Sequence, residues 1–148
     1  MAEVQEPDRG HVATQHTADV GLRAWASDRR TLFEEAAAGL AAISADVDPE
    51  AAREAVPVET DGDDLEQLAF TWLNELIGLA EDRRQALCRA EVAELDQDEA
   101  WRLRARAWFA PYDGSRVRPR LQVKAATMHG LQVEELPDRW ELEAYLDV

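Results

Sequence analysis

The apolar residues of this chain recur with two different periods, and the order of those periods limits the folds open to it. From Val20 the period is two: Val20, Leu22, Ala24 and Ala26 share one face, and Gly21, Arg23 and Trp25 the other. That is the pattern of a half-buried strand. From Leu32 the period lengthens, and Leu32, Phe33, Ala36, Ala37, Leu40 and Ile43 line one side of a helix. Thr31 with Glu34 reads as a capping box at its start, and the helix is expected to end near Ala45. Glu54 to Thr60 reads as a short strand, which Pro57 confines to an edge or an end. Asp63 with Glu66 reads as a second capping box. Leu65, Leu68, Ala69, Trp72, Leu73, Leu76 and Leu79 behind it form the broad stripe of a central core helix.

Beyond Asp82 the period returns to two. Leu87–Leu95 and Ala100–Phe109 read as strands, the latter with Trp101, Leu103, Ala105 and Ala107 inward and Arg102, Arg104 and Arg106 outward. Pro111, Asp113 and Gly114 mark a turn. Leu121–Met128 and Leu131–Leu136 read as two strands joined near His129–Gly130. The final strand points Trp140, Leu142, Ala144 and Leu146 inward. Strand, helix, strand, helix and then about five strands predict an α+β domain, with two helices packed on a largely antiparallel sheet.

The 148 residues suit one domain. Residues 1–13 hold Pro7, Gly10 and few apolar groups and read as a flexible tail, which leaves 14–148 as the single domain. One cysteine, Cys88, excludes an internal disulfide and a cysteine-based zinc cluster, and it reads as an inert core thiol. No apolar run approaches the ~18 residues of a membrane span. The N-terminus lacks the basic start and apolar core of a signal peptide, so the cytoplasm is expected.

Sixteen basic against thirty-one acidic residues give a net charge of −15. Phosphate backbones are repelled by most of such a surface, so cations, metal ions or a basic protein surface are the expected partners. The charge is uneven: −16 over residues 1–100, +6 over 101–124 and −5 over 125–148. The basic stripe is expected to pair with Glu141, Glu143 and Asp147 on neighbouring strands. Its functional alternative is a contact of Arg102, Arg104 and Arg106 with RNA or with an acidic protein patch. Asp61, Asp63 and Asp64 crowd the start of the second helix, where the dipole favours anions; they lack the ligand spacing of an EF-hand.

Catalytic motifs are absent: there is no phosphate-cradling glycine loop and no histidine pair at helical spacing. Three stretches carry chemistry instead. They are His16-Thr17-Ala18-Asp19-Val20-Gly21, Val123-Lys124-Ala125-Ala126-Thr127-Met128-His129-Gly130-Leu131, and the final Tyr145-Leu146-Asp147-Val148. Singly, Asp19 reads as a turn cap, Lys124 as a surface ammonium and Asp147 as an exposed acid.

Taken in order, with Trp72-Leu73-Asn74-Glu75-Leu76 between the first two, these blocks resemble the archease family over residues 14–148. The resemblance implies an accessory protein, not an enzyme. The family assists the GTP-dependent RNA ligase that joins 2′,3′-cyclic-phosphate or 3′-phosphate ends to 5′-hydroxyl ends in tRNA splicing or RNA repair. It promotes guanylylation and repeated turnover of that ligase, to which GTP and manganese belong. The resemblance also implies a calcium or other divalent-metal site at Asp19, Asp147 and Val148, with Lys124 beside it acting on the ligase. Oxygen ligands suit a hard cation, but three residues fall short of the usual six to eight, so low specificity among divalent ions is expected. His16 and His129 flank the site as candidate orienting groups.

Departures from the family pattern are Gln15 in place of an acid, Met128 in place of a tyrosine, and no histidine between Pro111 and Arg120. The alternatives are a metal-dependent hydrolase built on Asp19 and Asp147, for which no base or substrate element is visible, and a generic metal-binding chaperone or interaction module.

Overall fold

In the computed structural model, which describes residues 7–15 and 19–148, both expected helices form and each packs on two antiparallel sheets. Strands β1 (Gly10–Gln15), β2 (Asp19–Ala26), β9 (Trp140–Asp147) and β8 (Ala125–Glu135) make a four-stranded sheet in that order. Strands β4 (Glu54–Gly62), β6 (Trp101–Pro111) and β5 (Gln85–Gln97) make a three-stranded one. A small pair, β3 (Ala45–Val47) with β7 (Val117–Pro119), ties the loop before β8 to the end of helix α1 (Arg29–Ser44). Every strand pair is antiparallel. The α+β class holds, with the expected sheet divided into three.

One apolar core joins both sheets to α1 and α2 (Leu65–Arg83). Leu22, Leu142 and Leu146 enter it from the first sheet, Leu103 and Phe109 from the second, and Phe33 and Trp72 from the helices, all buried. The Trp72 indole N–H donates to the Phe33 carbonyl at 3.0 Å, which satisfies its one polar atom and joins the two helices. No helix among the described residues is long and apolar enough to cross a membrane.

Several local expectations move. Residues 10–13, expected within the flexible tail, are instead part of a strand, because Gly10–Gln15 pairs with β2 from Gly10↔Trp25 to Gln15↔Val20; residues 1–6 lie outside the described residues. Arg9 and His11 hold that strand to α1 through Glu35, a carboxylate only 8% exposed, at 2.7 and 3.2 Å. An acid so buried requires such partners. Both faces of β2 are covered rather than one: Trp25 is buried under Arg23 and Arg139, whose guanidinium carbons lie 5.0 and 5.4 Å from its ring centre.

Both helix caps sit earlier or later than the motifs suggested. Asp28 caps α1, accepting from Thr31 N–H at 2.9 Å, while Glu34 instead accepts Val92 N–H of β5 at 2.8 Å. Asp64 caps α2, with Gln67 returning a bond to Asp63 N–H. Residues 125–135 are one strand, interrupted by a bulge between Thr127 and Gln132, not two; Leu121 to Lys124 precede it as irregular chain. The left-handed backbone of Gly130 (φ 73°) makes that bulge possible. Pro57 does lie on an edge strand.

Cys88 is half-buried on β5, and burial pushes its thiol up to about 11, as suits an inert group.

Candidate functional site

Asp19 opens β2 and Asp147 closes β9. Because the strands run antiparallel, the first residue of one falls opposite the last of the other, and the register pairs Asp19 with Asp147 directly. Such cross-strand pairs hold their Cβ atoms about 4.5–5.5 Å apart, and like charges placed so are destabilising. On its other side Asp147 pairs with Ala125 of β8, and the Lys124 N–H donates to the Asp147 carbonyl at 2.8 Å. Residues 128 positions apart in sequence thus share one row with the only lysine beside it. The tie is through the Lys124 main chain; its side chain is exposed, and its ammonium forms no ion pair among the described residues.

The same outer face grades away from the acids. Gly21, Arg23 and Trp25 of β2 lie opposite Tyr145, Glu143 and Glu141 of β9. The Tyr145 hydroxyl donates to Glu143 at 3.1 Å; that bond, with the nearby charges of Glu143 and Asp19, raises the phenol above its ordinary value. The Tyr145 ring lies against the backbone of Gly130, where a Cβ would come within 2.8 Å of it. Burial works to raise the Glu141 carboxyl, but bonds from Arg23 (2.9 Å) and Arg139 (2.6 Å) outweigh it and hold it low.

Among the described residues no three histidine, cysteine, aspartate or glutamate side chains gather to hold a metal. The side-chain donors at the row are therefore two carboxylates, with Val148 following Asp147 directly. An all-oxygen donor set fits a hard cation and not a thiophilic one. His16 lies outside the described residues. His129 is exposed on the bulge, its N–H bonded to Thr127 Oγ1, away from the row.

The basic stripe pairs with acids, but not with those expected. Arg102, Arg104 and Arg106 lie on the central strand of the other sheet, whose neighbours are β4 and β5 rather than β9. Arg104 pairs with Glu94 and Arg106 with Glu91, at 2.5 and 3.5 Å; Arg102 lies between Asp61 and Asp96 in register.

One positioning residue was not assigned a role from sequence. Asn74 of α2 brackets Ala126: its amide donates to the Ala126 carbonyl at 3.1 Å and accepts the Ala126 N–H at 3.0 Å. These bonds satisfy the open edge of β8 one residue beyond Ala125 and fix the strand that borders Asp147. The signal available in the sequence is its place in the block Trp72-Leu73-Asn74-Glu75-Leu76, a polar residue beside the apolar stripe. Asn74→Leu is expected to cost about 1–3 kcal/mol in urea unfolding, because it orphans both Ala126 groups.

The whole chain is comparable with known proteins. A family model, the Archease protein family (MTH1598/TM1083), matches residues 12–148. Protein archease of Methanopyrus kandleri is 36% identical over 134 residues, covering 90% of this chain and 96% of that one. Protein archease of Thermococcus gammatolerans is 35% identical over 127 residues, covering 85% and 89%. The solution structure of Methanobacterium thermoautotrophicum protein 1598 superposes with a TM-score of 0.76 at 24% identity, covering 94% of this chain and 99% of that one. The crystal structure of an archease from Thermotoga maritima, described as a possible chaperone, gives 0.60 at 19% identity over the full length of both. The order of the sequence blocks, the fold and these relatives agree: the chain belongs to the archease family.

Proposed function

We propose that this protein is the activator of a GTP-dependent RNA ligase, raising guanylylation and turnover of that enzyme in tRNA splicing or RNA repair in the cytoplasm. The observation that carries the reading is the acidic pair. The register places Asp19 opposite Asp147, a like-charge pair that a shared cation would turn from mildly destabilising to favourable. Asp19, Asp147 and an oxygen of Val148 would hold calcium or another divalent ion, completed by water or by a group of the ligase. The ion would supply positive charge for an anionic group of the ligase or its nucleotide. Lys124, exposed beside the row, adds a second positive charge on the partner's side.

The test is a joining reaction with the ligase of the same genome limiting, GTP, manganese, and RNA bearing 3′-phosphate and 5′-hydroxyl ends. Adding the protein should raise product well beyond one per ligase. No stimulation of a ligase shown to be active would contradict the reading. Lys124 is the only lysine, so amine acetylation reaches this one side chain and the N-terminus. Acetylation is expected to cut the stimulation at least tenfold, whereas an acetylated Lys124→Arg chain keeps the charge and most of the effect.

A further inference from the structure

A cleft of about 610 Å³ opens where the C-terminal ends of α1 and α2 meet the irregular segment before β8. Its floor is apolar, with Leu40, Leu76, Ile77 and Leu121 among the lining side chains. Volume and lining are those of a site that takes one or two large apolar groups. Two exposed cations, Arg84 and Lys124, stand at its rim with one exposed acid, Glu81, so the rim carries a net positive charge in a chain whose net charge is −15.

Arg84 carries the second observation. It ends α2 in the left-handed conformation, φ 53° and ψ 43°, and is the one non-glycine residue with positive φ among those described. Helix ends of this kind ordinarily take glycine or asparagine. A long cationic side chain is held there against backbone preference, beside an apolar cleft.

We propose that this cleft docks a segment of the ligase in which apolar side chains adjoin carboxylates: the apolar groups enter the cleft and the acids meet Arg84 and Lys124. RNA is the poorer occupant, since its phosphates gain nothing from the leucine floor, whereas a protein segment buries apolar side chains there. The cleft adjoins the acidic row at one residue, because Lys124 lines the one and its N–H binds the Asp147 carbonyl in the other. A segment docked here places the ligase beside the residue that borders Asp147. The inference rests on the ligase being the partner.

The experiment measures the affinity of the full chain for purified ligase without RNA, with melting temperature as the check on folding. Leu121→Asp places a charge in the cleft. Arg84→Gly removes the guanidinium where glycine fits the backbone, so the fold is retained. Each is expected to weaken binding at least tenfold. Both variants folded and within twofold of wild type would overturn the cleft as the docking site and leave the ligase reading standing. Wild-type protein that does not bind an active ligase would overturn both. Single-stranded RNA that binds wild type and loses affinity equally in both variants, with ligase binding unchanged, would assign the cleft to RNA and overturn the proposal.

Discussion

Asp19→Asn and Asp147→Asn are each expected to weaken calcium binding at least tenfold, about 1.4 kcal/mol, by titration calorimetry. The reason is the register. The two carboxylates lie directly opposite one another, so each supplies charge that the other cannot replace. The same geometry fixes the sign of the effect on stability. Without metal the like charges oppose folding by about 0.2–1 kcal/mol, so either substitution should leave the melting temperature unchanged or raise it by a few degrees. With calcium at a hundredfold excess over its Kd the wild type gains about 2.7 kcal/mol, and the order reverses. A melting temperature that rises with calcium equally in wild type and both variants would show that the pair does not hold the ion.

Trp72→Ala is expected to cost about 3–5 kcal/mol. Trp72 is fully buried in the core shared by both sheets and both helices, and its indole N–H is bonded to the Phe33 carbonyl. Truncation leaves a cavity that four packed elements cannot close together. Against a typical domain stability of about 5–15 kcal/mol this is a large fraction. Guanidinium unfolding should show a lower midpoint with the slope unchanged. Trp72→Phe keeps most of the volume and should cost less than half as much.

Elements whose stabilising pattern lies within their own sequence were legible. The stripe from Leu65 to Leu79 predicts α2, and the alternation from Trp101 to Ala107 predicts β6, because one element decides which of its faces is buried. What depends on a distant partner was not. Val117–Pro119 forms a strand only because Ala45–Val47 lies beside it. Gly10–Gln15 leaves the tail through pairing with β2 and through the Glu35 carboxylate. The partners of Arg104 and Arg106 depend on which strands adjoin β6, and the order of strands in a sheet is not written in any one of them.

The site divides the same way. Asp19, Lys124 and Asp147 stood out through the family's sequence blocks, and the register explains why residues at the two ends of the domain belong to one row. Asn74 and Gly130 lie within the sequence blocks, but their contacts with the Ala126 backbone and the Tyr145 ring depend on elements distant in sequence. The left-handed Arg84 is visible only in the backbone.

If the protein activates the ligase, the Asp19–Asp147 row is the part of it that does the work. That role is tested most directly by counting products per ligase, with the ligase limiting, for wild type, Asp19→Asn and Asp147→Asn at equal folded concentration. Many products per ligase are expected with the wild type and, with either variant, the count given by the ligase alone. Stimulation by both variants equal to that of the wild type would contradict that role.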